Sequence, residues 1–266
     1  MRIASLRSLA LTAILTAGTV VACSESTSPL AGTGQSMSLS FAGVRPPGFS
    51  GVQSVQNVLA DTLVQVVGTD TLKITDVAIV LRRISLKRIE DSAVDCDTMP
   101  ETAERSCEHF TVRDVLAHLP LTQGVLTSFS IPVDSGTFRS VSFKIHKPGN
   151  DAVDAAFKLA NPGFDTVSVR VTGLWNGVPF TFVSRLDAKQ EYRFDPPLVV
   201  DASGTATNLT IRMDITKWFV NGGSGALVDP SSANPGGANE NLIKDNIRNS
   251  IKAFRDRDRD DDERNG

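Results

Sequence analysis

Two hydrophobic periods divide the chain. From residue 37 onward the dominant period is two. Met37, Leu39 and Phe41 alternate with serines, and Val77, Ile79 and Leu81 recur at every second position. Phe129, Ile131 and Val133 do the same, as do Val141, Phe143 and Ile145, with Ser142, Lys144 and His146 on the other face. Val167, Val169 and Val171 alternate with Ser168, Arg170 and Thr172. Phe180 and Phe182 follow, then Tyr192 and Phe194, then Leu209, Ile211, Met213 and Ile215. Successive strand side chains point to opposite faces, so this alternation predicts half-buried β-strands. After Leu81 the pattern resumes at Ile84 and Leu86 in the opposite phase. The slip at Arg82-Arg83 predicts a β-bulge or a bend there.

Turn residues punctuate the strands. Asn176-Gly177 suits the positive-φ positions of a type I′ hairpin turn. Asp134-Ser135-Gly136, Lys147-Pro148-Gly149 and Asn161-Pro162-Gly163 predict further turns, and Pro196-Pro197 is expected to end the run after Phe194. The period changes after Trp218-Phe219. A Gly-, Ser-, Asn- and Pro-rich stretch over 221–237 reads as loop, and then Ile243, Ile247, Ile251 and Phe254 fall on one stripe of a helix of about four turns. The fold class expected is all-β: an antiparallel β-sandwich with Greek-key connections and one C-terminal amphipathic helix. A closed barrel is the alternative. A membrane-spanning barrel is disfavoured by short, irregular strands and few aromatic residues.

The start of the chain has a different character. Arg2 and Arg7 flank a short basic region, followed by an apolar run from Leu9 to Val21. A stable span needs about 20 apolar residues, so this segment reads as an export signal over 1–22. Val20-Val21-Ala22-Cys23 resembles the lipobox of bacterial lipoproteins. The resemblance implies a lipid on Cys23 and, with Ser24 rather than Asp next, anchoring at the outer membrane. Val20 stands where Leu is commonest, and Val20 with Ala22 also satisfies an ordinary signal peptidase, which leaves plain secretion as the alternative. Losing Arg2 and Arg7 moves the formal net charge from −3 to −5. That acidity argues against a nucleic-acid partner.

Three cysteines are present. A lipid on Cys23 leaves Cys96 and Cys107, which outside the cytoplasm are expected to form a disulfide. A two-cysteine metal site is the rival, but no second Cys pair or close His pair completes it. Ser24 to Ser36 is rich in Ser, Thr, Gly and Ala and reads as a tether. The organisation expected is therefore a signal over 1–22, a lipidated tether over 23–36, a sandwich domain over 37–220, and loop, helix and acidic tail over 221–266.

Candidate chemistry is sparse. Asp256, Asp258, Asp260 and Asp262 alternate, as carboxylates do at the start of an EF-hand calcium loop. The loop's turn glycine is replaced by Asp261, its closing Glu would fall past Gly266, and Arg257 and Arg259 offset the charge. Calcium is the one candidate cofactor, and a solvated charged end is the competing reading. The segment Glu90–Glu108 carries seven acids and one interior base, Arg105, around the two cysteines, and could contact a cation or a basic partner. Trp175 beside the hairpin turn is a candidate sugar platform, although such a residue more often packs over a sheet edge. His109, His118 and His146 form no HExxH or nucleophile–base pattern. Ser224, in Gly222-Gly223-Ser224-Gly225, lacks the second glycine of a nucleophile elbow.

Four segments resemble a group of uncharacterised exported bacterial lipoproteins. They are Ile84-Ser-Leu-Lys-Arg88, Phe143-Lys-Ile-His-Lys-Pro148, Val228-Asp-Pro230 and Asn249-Ser-Ile-Lys-Ala-Phe-Arg-Asp256. The resemblance implies a transthyretin-like or carbohydrate-binding-like sandwich with an Asp-rich tail, and no activity. Related tails often have Gly within the repeat, which this chain lacks. The expectation is a non-catalytic, lipid-anchored binding or interaction module. Its partners would be the membrane through Cys23, and a glycan or an envelope protein. A purely structural lipoprotein and an unrecognised hydrolase are the alternatives.

Overall fold

The computed structural model describes residues 35–43, 62–89, 108–112, 115–122, 127–133, 135–150, 152–200 and 208–255. Contacts divide the chain into Met1–Gly32, outside the described residues, and Thr33–Gly266, which holds everything below. The described chain is mostly β, as the alternation predicted, and is arranged in two sheets. The smaller sheet has the order β12-β11-β1-β6, from β1 (Gln35–Ala42), β6 (Thr127–Val133), β11 (Asn208–Met213) and β12 (Ile251–Arg255). Its β1–β11 pair is parallel. Every other described pairing is antiparallel.

The larger sheet is organised around one long strand, β3 (Asp70–Arg88). Along one side run β2 (Leu63–Val67), β5 (Val115–His118) and β4 (Glu108–Val112) in succession. Along the other run β8 (Val169–Trp175) and then β7 (Gly136–Ile145), end to end. Val80 marks the junction: its N–H donates to the Ser168 carbonyl, and its carbonyl accepts from His146 N–H. Beyond them β9 (Val178–Ser184) and β10 (Ala188–Val200) repeat the arrangement. The sheet thus reads as four rows, two of them interrupted at the same level. The interruption in the β7–β8 row, residues 146–168, contains helix α1 (Ala152–Ala160).

β3 keeps one face on the core only because it slips phase twice. Leu72 and Ile74, then Val77, Ile79 and Leu81, then Ile84 and Leu86 all lie in one hydrophobic core. Register shifts fall between Ile74 and Asp76 against β8 and between Arg82 and Ser85 against β7. The second is the bulge that the Arg82-Arg83 slip predicted. At the first, Gly173 faces Ile74, and a Cβ there would sit 2.0 Å from the Lys73 carbonyl oxygen. The bulge therefore requires glycine on the neighbouring strand.

The inner face of the large sheet is covered in two halves. The small sheet brings Phe41, Leu209, Ile211 and Met213 into the core. The segment between β11 and β12 covers the other half. Phe219 packs edge-on against Phe180 and Phe182 at 6.3 and 5.2 Å, and Asn234 bonds to Val183 N–H on the edge strand β9 at 2.8 Å. Within that segment lies α2 (Glu240–Asn249), which buries Ile243 and Ile247. Trp218 locks it in place. Its indole N–H donates to Ser250 Oγ at 2.8 Å, and Asn246 donates to the carbonyls of Trp218 and Val220.

The C-terminal helix is shorter than its stripe predicted. Ile251 and Phe254 belong to β12, because from Ile251 onward the backbone pairs with β11 instead of continuing the helix. Pro196-Pro197 does not end a strand either. β10 runs through it at a register shift between Arg193 and Leu198, on an edge where proline needs no ladder partner. β10 closes the sandwich against β12, where the Tyr192 hydroxyl donates to the Ile251 carbonyl at 2.7 Å. Burial pushes the Tyr192 phenol up to about 12. The Asn176-Gly177 turn forms as predicted, with φ of 50° and 82°.

Candidate functional site

Cys23, Cys96, Cys107, Asp256, Asp258, Asp260 and Asp262 lie outside the described residues. The strand ends that lead to them are described, and they share one end of the sandwich. Gln35, where β1 begins, pairs with Val133 of β6, and β7 starts three residues later at Gly136. Arg255, the last residue of β12, pairs with Leu209, itself the partner of Leu39 near the start of β1. On the large sheet Arg88 pairs with Phe138 and Lys87 with Glu108, so β3 ends and β4 begins at that same end.

His109 falls on β4, and the remaining sequence candidates, Trp175, Ser224, His146 and His118, have partners of their own. Trp175 is half-buried and packed against the core. Ser224 sits at an exposed tip, where its Oγ accepts from Ala226 N–H and its own N–H is held by the Asn221 side chain. His146 Nδ1 lies 3.3 Å from Asp187 Oδ2, across the two row interruptions. His118 Nδ1 lies 2.7 Å from Asp76 Oδ1. A carboxylate in that position orients an imidazole, but hydrolysis also needs a nucleophile within reach. The hydroxyls nearby, Thr75 and Thr172, bond to each other at 3.3 Å, and Thr75 also bonds the Thr172 carbonyl. Among the described residues no group of three or more His, Cys, Asp or Glu gathers as a metal site would need, and no helix is long and apolar enough to cross a membrane.

What the sequence reading missed is the outer face of the large sheet. Because Leu81, Val141, Phe143, Ile145 and Ala188 point into the core, their alternates point outward. Register then stacks three cations in one cross-strand row: Arg82 opposite Lys144, and Lys144 opposite Lys189. The next row is Ser85, Ser142 and Glu191, and the one after it Lys87, Ser140 and Arg193. Ser85 and Ser142 share a hydrogen bond of 2.7 Å, and Ser140 Oγ donates to Glu191 at 3.1 Å. Lys87, itself buried, reaches the same carboxylate at 3.5 Å.

Helix α1 stands on this face beside the cationic row. Its buried Asp154 takes Arg82 at 3.1 Å and accepts from Gly149 N–H. A second, smaller core lies on the same face, formed by Ala78, Val80, Phe164 and Val167 with Phe157 from the helix against it. The Arg170 guanidinium lies over the Phe164 ring at 4.5 Å. Like charges directly opposite in a sheet cost stability. Arg82 is offset by Asp154, whereas Lys144 and Lys189 make no ion pair among the described residues. Comparison with known protein families, curated proteins and solved structures finds no match for this chain.

Proposed function

We propose that the protein is a cell-envelope binding module, not a catalyst, held at the outer membrane by a lipid on Cys23. The reading of the start rests on the basic residues, apolar run and Val20-Val21-Ala22-Cys23. The observation that carries the binding role is the outer face of the large sheet. There Lys144 and Lys189 stand opposite each other on neighbouring strands, with Arg82, held by Asp154, completing the row. Rows on a sheet present a surface for recognition, whereas hydrolysis would need a nucleophile and base converging on one reacting atom. The His118–Asp76 pair supplies an orientable imidazole, but its neighbouring threonine hydroxyls are bonded to each other. β1 begins at Gln35, at the end of the sandwich where β3 and β12 end and β4 begins. That end would face the membrane.

The test is fractionation of the full chain expressed in a Gram-negative host, with and without Cys23→Ser. The wild type is expected in the outer-membrane fraction, carrying metabolically supplied palmitate. The variant is expected without label and released to the soluble fraction. A wild type that takes no label, or a variant that stays in the membrane, overturns the anchor.

A further inference from the structure

We propose that Asn221 is a self-modifying residue, converted with Gly222 and water, and without an enzyme, through a succinimide to aspartate and isoaspartate. The proposal goes beyond the binding-module reading and does not depend on it. Three Asn-Gly steps occur in the chain: Asn176-Gly177, Asn221-Gly222 and Asn265-Gly266, the last outside the described residues. The first two are both exposed, but their carboxamides are held in different ways.

Asn221 closes a tight tip on the bridge between Val220 and Leu227. Its N–H donates to the Ala226 carbonyl at 2.9 Å, and its carbonyl accepts from Gly225 N–H at 2.7 Å. Its side-chain Oδ1 accepts from Gly223 N–H at 3.0 Å and from Ser224 N–H at 3.3 Å. Two backbone donors on a carbonyl oxygen stabilise the negative charge that gathers there when the carbon is attacked. Gly222, between Asn221 and these donors, supplies the attacking nitrogen. Its N–H makes no hydrogen bond among the described residues, and a Cβ built on it would meet nothing within 4 Å. The nitrogen is thus uncommitted and unshielded. Asn221 Nδ2 also makes no hydrogen bond among the described residues, so nothing retains it as a leaving group. Asn176 is tied at both ends of its carboxamide. Its Oδ1 accepts from Thr71 N–H at 2.7 Å, and its Nδ2 donates to Asp70 at 3.1 Å, both on the neighbouring hairpin.

The step balances without any redox partner. Gly222 N gives its proton to solvent and bonds to Asn221 Cγ, and the carbonyl electron pair moves onto Oδ1. The pair returns as the Cγ–Nδ2 bond breaks, and Nδ2 leaves as ammonia, taking a proton from solvent. Water then opens the succinimide. Opening at the side-chain carbonyl gives aspartate, whose carboxylate keeps the two N–H bonds in charge-assisted form. Opening at the main-chain carbonyl gives isoaspartate, with an extra methylene in the main chain of the tip. The tip adjoins the anchorage of α2, where Asn246 donates to the Val220 carbonyl at 2.8 Å.

The test incubates the full-length protein in detergent micelles, in heavy-oxygen water at mildly alkaline pH. Peptide mapping by mass spectrometry follows amide loss and heavy-oxygen uptake, and an isoaspartate methyltransferase counts isoaspartate. Conversion is expected to be about tenfold faster, or more, at Asn221 than at Asn176. It is also expected to be faster at Asn221 in the native protein than in the protein unfolded in guanidinium chloride. Gly222→Ala is expected to slow it by about tenfold or more while leaving the melting curve unchanged, since the added Cβ has room. A native rate at Asn221 no faster than the unfolded rate would mean that the tip protects the amide, and overturns the proposal. So does an equal or faster rate at Asn176, an unchanged rate in Gly222→Ala, or aspartate without isoaspartate, which marks direct hydrolysis. Circular dichroism checks the fold of Gly222→Ala; should that variant misfold, the native and unfolded rates of wild type decide. None of these outcomes touches membrane release by Cys23→Ser, so the two readings fail independently.

Discussion

Trp218 is the best place to test how the second half of the core is held. The side chain is fully buried, and its Nε1 donates to Ser250 Oγ at 2.8 Å. The Ser250 hydroxyl in turn donates to the Ile247 carbonyl at 2.7 Å, at the end of α2. Trp218→Ala removes a large buried ring and is expected to cost about 3–5 kcal/mol. For a domain of this size each kcal/mol lowers Tm by roughly 2–4 °C, so the expected drop is roughly 6–20 °C. Ser250→Ala leaves the indole N–H buried without its acceptor and is expected to cost about 1–3 kcal/mol. The two changes break one chain of hydrogen bonds, so they should not add. A double-mutant cycle by urea denaturation, followed by circular dichroism, should give a coupling of about 1 kcal/mol. Trp218→Ala within 1 kcal/mol of wild type, or strict additivity with Ser250→Ala, would refute the idea that this contact fastens the helix to the sheets.

Three further perturbations probe other parts of the argument. Gly173→Ala puts a Cβ 2.0 Å from the Lys73 carbonyl oxygen; it should destabilise by about 2–3 kcal/mol, and a neutral result in urea titration would mean that the bulge on β3 can shift. Tyr192 is the single tyrosine of the chain. Burial holds its folded phenol at about 12, above the 10.0 of a solvated phenol. Its contribution is whole below pH 10 and declines as pH rises towards 12, because the unfolded phenol loses its proton first. Phenolate absorbance should titrate with the folded midpoint, and Tyr192→Phe should remove that part of the alkaline loss; a midpoint near the unfolded value refutes the burial. Reducing a Cys96–Cys107 bond is expected to lower stability by about 2–3 kcal/mol, and an unchanged melting curve with reductant would count against the bond.

The strands were legible where one face is apolar and the other polar. Val141, Phe143 and Ile145 against Ser142, Lys144 and His146 read directly as β7, and the Arg82-Arg83 slip read directly as a bulge. Legibility failed where both faces are covered. Ala78 and Val80 lie under the small outer core, so the alternation of β3 is blurred there. It failed again where a tertiary partner overrode a local period. Ile251 sits at helical spacing from Ile247, yet the edge of β11 takes its backbone into β12. Helix α1 was missed because it spans only Ala152–Ala160 between two proline turns, and its side chains answer to the outer face of the sheet, through Asp154 and Phe157, rather than to the main core.

The candidate surface was hidden for a further reason. Arg82, Lys144 and Lys189 belong to three strands, and nothing in their sequence separations makes them neighbours. They meet only when β7 lies between β3 and β10 in one particular register. The Arg82–Ser85 shift lets Arg82 face outward while Leu81 on one side and Ile84 on the other both enter the core. Without that extra residue the alternation would continue past Arg82, placing Ser85 in the core and Ile84 and Leu86 in the outer rows. The hydrophobic core therefore selects the bulge, and the bulge sets which cations share a row. Lys144 and Lys189 stand opposite each other at a cost in repulsion that the core did not require, since an uncharged residue at either position would keep the same register.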